Sequence, residues 1–186
     1  MRLFVAVTPP AEAVEDLDAF LDVRREAAGF RWAPAEQWHL TLAFCADFPE
    51  HRLEELQERL TRAAGRRHPV DARLAGGGAF PNVGRARVLW LGLDTDDHTE
   101  VDHLATGARA AVAKAGGRVD GQRFRAHLTL ARMGHPIEAT RWVRLLEGYA
   151  GPSWTIEQID LIASHLGEGR RRRPRYETLG SYPLHR

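Results

Sequence analysis

His39-Leu40-Thr41-Leu42-Ala43 and His127-Leu128-Thr129-Leu130-Ala131 are the same five residues, met twice in one chain of 186. Along a β-strand successive side chains point to opposite faces, so His39 and Thr41 share one face while Leu40 and Leu42 share the other. The second copy repeats this with His127 and Thr129 opposite Leu128 and Leu130. One His-x-Thr on a strand is commonplace, and its duplication within an identical pentapeptide is what gives it weight. Two related strands of this kind predict two imidazoles and two hydroxyls converging where the repeats meet.

Working outward, Leu3–Val7 reads as a buried strand, and Val14, Leu17 and Leu21 follow Pro9-Pro10 at helical spacing. Trp38 to Phe44 alternates as a half-buried strand. Leu53, Leu56, Leu60 and Ala63 mark a second helix. Val70, Ala72 and Leu74 mark a strand that ends in the run Gly76-Gly77-Gly78, and Arg87–Leu93 another. The order then recurs: a helix through Val101, Leu104, Ala108 and Val112, a strand Phe124–Ala131, a helix around Ile137–Leu146, and strands near Trp154–Ala163 and Tyr176–Tyr182. Each half reads helix, His-containing strand, helix, strand, strand. The expected fold is therefore α+β: one domain over residues 1–186 in two related lobes, with sheets packed against helices and a cleft where the lobes meet.

The chemistry such a cleft suits is in-line displacement at a phosphodiester. One imidazole takes a proton from attacking water and the other gives one to the leaving oxygen, since histidine titrates near neutral pH. The hydroxyls of Thr41 and Thr129 donate to non-bridging phosphoryl oxygens. A bell-shaped pH dependence centred near neutrality follows. No metal and no other cofactor is required. A catalytic zinc ion takes three protein ligands, and neither motif has the spacing that gathers them.

Composition is that of an ordinary globular protein, 44% hydrophobic and 27% charged, with a net charge of +1. Lys114 is the only lysine; the other 25 positive side chains are arginines, a bias compatible with a phosphate ligand that does not establish one. The single cysteine, Cys45, excludes an internal disulfide and reads as a small buried hydrophobe. The apolar opening stops at Thr8-Pro9-Pro10, short of a signal peptide, and no run is long enough to span a bilayer. A cytoplasmic monomer with no membrane contact is expected.

The paired His-x-Thr-x motifs resemble those of the 2H phosphoesterases, and within them the LigT-like bacterial and archaeal RNA 2',3'-cyclic phosphodiesterases, also called 2'-5' RNA ligases. The resemblance extends through Met1–Val7, Trp32–Glu36, Phe80-Pro81, Arg87–Gly92, Phe124–Arg132, Ser164–Leu166 and Tyr176–Leu179. It implies two pseudo-symmetric lobes whose antiparallel sheets line a central cleft with helices packed outside. It implies hydrolysis of a terminal 2',3'-cyclic phosphate to a 2'-phosphomonoester on RNA or oligonucleotide ends, with joining through a 2'-5' bond as its reverse. It also implies His39 as proton donor and His127 as proton acceptor, a split that sequence symmetry alone leaves open. Two positions depart from the pattern. Ala126 stands where the family usually has proline, and Phe44-Cys45-Ala46-Asp47 where a Leu-Gly pair is common. Both shape backbone rather than supply chemistry.

Arg132 directly follows the second motif, as arginine does in similar enzymes, and is the candidate partner of a substrate phosphate; an exposed arginine is the plain alternative. Arg125 shares parity with His127 and is a lesser candidate. Arg170-Arg171-Arg172-Arg173-Pro174-Arg175 is either an RNA-tracking loop or a solvated one. Phe80, Trp32 and Tyr176 are core residues or base-stacking ones. The seven remaining histidines fit no pair and read as surface or structural. Two other functions stay open: a binding module for nucleotides or RNA ends without turnover, and the same chemistry on another small cyclic phosphate.

Overall fold

The structure, a computed structural model, describes residues 1–185. Its elements run β1 (Leu3–Val7), α1 (Ala11–Arg25), β2 (Arg31–Trp32), β3 (Leu40–Cys45), α2 (Leu53–Gly65), β4 (Val70–Phe80) and β5 (Ala86–Thr95), then α3 (His98–Lys114), β6 (His127–Ile137), α4 (Thr140–Glu147), β7 (Trp154–Ile156), β8 (Gln158–His165) and β9 (Arg175–Pro183). The strands form one antiparallel sheet in the order β7-β4-β5-β6-β3-β1-β8-β9, with β2 on β6. β3 and β6, the two motif strands, meet at the facing pair Leu40 and Leu128. The sheet thus divides there into two lobes, with the duplicated residues at the seam.

The lobes are not the two halves of the sequence. The β3 lobe contains β1, β8 and β9, and the β6 lobe contains β5, β4, β7 and β2. α3, from the second half, packs on β3, and α2 packs on both α3 and β9. α1, from the first half, reaches the other lobe: Tyr149 Oη donates to Asp16 Oδ1 at 2.7 Å, and the Phe20 ring lies 4.8 Å from that of Tyr149. Each lobe is built from both halves, so neither can bury its apolar surface without the other. One buried cluster, from Leu3 and Leu40 to Leu128 and Leu161, runs through both lobes.

Several boundaries differ from those the sequence predicts. β4 does not end at the glycine run but passes through it, with a register shift between Leu74 and Gly77. A Cβ at Gly77 would meet Leu146 Cβ at 2.4 Å, and one at Gly78 would meet the Trp90 ring at 2.1 Å. Close approach of a helix and of an indole, rather than a turn, is what the glycines serve. The expected strand over Trp154–Ala163 is two strands, because β7 pairs with β4 in one lobe and β8 with β1 and β9 in the other. β6 starts at His127 rather than Phe124 and continues to Ile137, which pairs with the buried Ala86; α4 therefore begins at Thr140. No helix of the described residues is long and apolar enough to cross a membrane.

Leu128 is fully buried at the seam, 0% exposed. Truncating it removes transfer free energy and leaves a cavity, so Leu128→Ala is expected to cost about 2–5 kcal/mol in urea titration. A loss under about 1 kcal/mol would mean that the seam repacks and is not a fixed point of the fold.

Candidate active site

The two motif strands carry the same burial sequence. From Leu40 the order is buried, half-buried, buried, buried, half-buried, buried, and from Leu128 it is the same except that the fifth residue, Arg132, is exposed. The doublets Leu42-Ala43 and Leu130-Ala131 break the alternation, and each coincides with a bulge. Val5 faces Ala43 while Ala6 faces Thr41, and Leu89 faces Ala131 while Trp90 faces Thr129. One extra residue on a strand re-aims everything beyond it. The bulge turns Phe44 and Arg132 onto the same face as the histidines and threonines, which strict alternation from His39 and His127 would not do.

That face opens into a cleft of about 370 Å³ lined by His39, Thr41, His127, Thr129 and Arg132, with Phe4, Phe44 and Tyr176 on the β3 side. The sequence-predicted residues therefore meet in one place. His39 lies one residue before β3 and His127 is the first of β6. Both imidazoles are anchored alike: Nδ1 of His39 lies 2.7 Å from the Gln37 carbonyl oxygen, and Nδ1 of His127 lies 2.7 Å from that of Arg125. A carbonyl only accepts, so Nδ1 of each carries the hydrogen and the neutral ring keeps its lone pair on Nε2. At His39 this Nε2 accepts from the Thr41 hydroxyl at 3.0 Å.

The two rings sit in different surroundings. His39 stacks on Phe4, centroids 4.4 Å apart, with Tyr176 edge-on at 5.7 Å. His127 meets the Phe80 ring edge-on at 4.9 Å and Trp90 at 6.0 Å. Burial is the main cause that holds the His39 imidazole below the ordinary histidine value; the Gln37 bond opposes it and the charge of His127 adds to it. Burial also lowers His127, opposed by the Arg125 carbonyl and reinforced by the guanidinium charges of Arg125 and Arg132. Burial raises the Tyr176 phenol, which stays protonated.

Other candidates separate. Arg125 does not share the cleft: residues 124–126 precede the strand, so parity does not govern them, and its guanidinium lies 4.8 Å over the Trp90 ring. Trp32 packs on Phe30 and Trp142 and donates from Nε1 to the Ala28 carbonyl, a structural role. Phe80 lines a neighbouring pocket that shares His127. Arg2 lines the cleft too, stacked 4.5 Å over the Phe44 ring, and sequence reasoning missed it along with Gln37 and Ser164. The paired Leu-Ala doublets, two adjacent apolar residues where alternation demands one, are a readable signal for the bulges that bring in Phe44 and Arg132, but no pattern in the sequence points to Arg2, Gln37 or Ser164. Among the described residues, no group of three or more His, Cys, Asp or Glu could hold a metal ion.

The LigT like Phosphoesterase family model matches residues 5–90 and 93–171. The chain is 34% identical to the RNA 2',3'-cyclic phosphodiesterase of Archaeoglobus fulgidus, over 72% of this chain and 73% of that protein. It is 34% identical to the protein of the same name from Thermus thermophilus, over 99% of this chain and 90% of that one. The crystal structure of E. coli LigT complexed with 3'-AMP superposes with a TM-score of 0.78 at 26% identity, over 100% of this chain and 98% of that one.

Arg132 and Arg125 make opposite expectations. Arg132→Ala removes a cleft-facing guanidinium, and a charge-assisted bond of about 1.5–3 kcal/mol corresponds to binding of inorganic phosphate weakened by about 10–100-fold. Arg125→Ala, with its charge over Trp90, should change that binding only severalfold. Calorimetric or NMR titration with phosphate gives both values, and the reverse order would contradict the bulge-directed geometry.

Proposed function

The chain belongs to the LigT-like phosphoesterases, and on that premise we propose that it hydrolyses the terminal 2',3'-cyclic phosphate of RNA to a 2'-phosphomonoester by two-histidine acid–base catalysis without a metal ion. The observation that carries this reading is the pair of imidazoles, each tied by Nδ1 to the carbonyl two residues earlier, both lining the cleft that also holds Thr41 and Thr129.

In this reaction Nε2 of His127 takes a proton from water as the water oxygen bonds to phosphorus. The bond from phosphorus to O3' breaks in line, and Nε2 of protonated His39 gives its proton to O3'. Thr41 and Thr129 donate to the non-bridging oxygens, and Arg132 offsets the charge that grows on them. A 5'-hydroxyl entering in place of water would join two ends through a 2'-5' bond by the same transfers. The role split has support in the electrostatics. Burial is the largest cause lowering both rings, but at His127 the guanidinium charges of Arg125 and Arg132 add to it, as a base kept neutral requires, whereas no arginine charge does so at His39, where an incoming phosphate anion counteracts the burial. A cytoplasmic monomer is the working form in this proposal.

Hydrolysis of a 2',3'-cyclic nucleotide in excess chelator tests the reading. Wild type should form the 2'-phosphate, and His39→Ala and His127→Ala should each lose about 10²–10⁴-fold in kcat. Chelator-sensitive turnover, or a variant retaining more than about a tenth of the rate, would overturn the two-histidine scheme; binding without turnover by wild type would leave a recognition module.

The pH dependence adds a second check. Catalysis needs His39 protonated and His127 neutral, and burial puts both imidazoles below 6.5 in the free cleft. The free-enzyme profile, kcat/KM, should therefore peak on the acid side of 6.5, not at the neutrality that unperturbed histidines suggest, and fall toward pH 8 as His39 loses its proton. The kcat profile should lie higher in pH, because bound phosphate favours the imidazolium. A kcat/KM that rises through pH 8 would contradict the assignment.

A further inference from the structure

The turn between β8 and β9 holds the densest charge in the chain, Arg170-Arg171-Arg172-Arg173. Arg170, Arg171 and Arg172 are exposed. Arg171 (φ 53°) and Arg172 (φ 62°) occupy the left-handed backbone region in succession. There a Cβ crowds the following carbonyl and glycine alone sits without strain. The same connection does use glycine at Gly167, φ 73°. Arginine rather than glycine at both strained positions puts two exposed guanidiniums where the turn itself favours no side chain.

The turn is seated on the His39 edge of the cleft. The amide of Gly169 donates to the Arg173 carbonyl at 2.7 Å, closing the loop, and Gln37 Nε2 donates to the Pro174 carbonyl at 2.7 Å. The Gln37 carbonyl is the one that anchors His39, and Pro174 and Tyr176 line the cleft itself. Arg175 is spoken for by Glu168 at 2.9 Å, whereas among the described residues Arg170 to Arg173 have no carboxylate within ion-pair distance. Leu166, 65% exposed, stands in the same connection and offers an apolar face beside the charges.

A terminal cyclic phosphate has polymer on its 5' side only, so a strand bound by its end must leave the cleft in one direction. We infer that it leaves over this turn, whose unpaired guanidiniums hold the internucleotide phosphates and make the enzyme prefer an RNA end to a mononucleotide. The inference rests on the reaction proposed above. The competing exit is the pocket beyond His127, where Arg87 and Arg123 stand beside the apolar Val88 and Phe124.

The test uses a labelled RNA decamer ending in a 2'-phosphate, read by fluorescence anisotropy, beside kcat/KM for a cyclic-ended decamer and a 2',3'-cyclic mononucleotide. In the triple variant Arg170→Ser, Arg171→Gly, Arg172→Gly, decamer affinity should fall at least tenfold at 0.1 M salt. The slope of log Kd against log salt should shrink by about two. Mononucleotide kcat/KM should stay within twofold, and Tm should be unchanged or raised as strain is relieved. Undiminished decamer binding, equal losses on both substrates, or a loss that follows Arg87→Ala with Arg123→Ala instead would overturn the inference. Binding is read without turnover, so failure of the proposed reaction would appear separately, as loss of hydrolysis with the anisotropy result intact.

Discussion

Leu40 facing Leu128 is the point on which the molecule turns. Each residue is buried on the core side of a motif strand, and each has a histidine before it and a threonine after it on the opposite face. Joining the lobes at these two residues brings the four polar groups to one cleft and leaves no freedom in which residues arrive there. A one-residue slip at the seam would send both histidines inward and both leucines to solvent. Burial of the seam and assembly of the site are therefore one event, and the helices that cross between lobes hold it by making each lobe depend on the other.

The matching bulges extend the same logic. Without them the alternating pattern would place Ala43 and Ala131 in the cleft; with them Phe44 and Arg132 face it. The two copies then diverge in chemistry at equivalent positions. The β3 side becomes aromatic, with Phe4, Phe44 and Tyr176 beside the more deeply set His39, and the β6 side becomes cationic, with Arg132 beside His127. Arg2, lying on Phe44, returns a guanidinium to the aromatic side. This asymmetry, absent from two identical pentapeptides, gives the two imidazoles different electrostatic surroundings, which the proposed division into acid and base requires.

The motif strands, most helices and the group of four polar side chains were legible in the sequence because they depend on local periodicity. What was not legible depends on partners distant in the chain. Trp154–Ala163 reads as one strand, and only the presence of β4 on one side and β1 on the other splits it. Gly76-Gly77-Gly78 reads as a turn until Leu146 and the Trp90 ring are seen pressing on it. Arg125 reads as a cleft residue by parity, but the regular strand starts two residues later. The duplicated pentapeptide named the histidines; the carbonyl bonds from Gln37 and Arg125, which fix their tautomers, join residues two apart through backbone geometry that no sequence pattern shows.

The central claim of the proposal is that two imidazoles, each holding its Nδ1 hydrogen on a backbone carbonyl, present Nε2 to one phosphate, both neutral in the free cleft and His39 protonated once phosphate is bound. Nitrogen-15 NMR of the imidazole rings reports tautomer and protonation for each histidine directly, and the signals of His39 and His127 can be assigned by substitution. Above pH 6.5 both should be neutral Nδ1–H tautomers, and adding a nucleoside 2'-phosphate should protonate His39 while His127 stays neutral. An Nε2–H tautomer at either ring, or no response of His39 to the phosphate, would contradict the account.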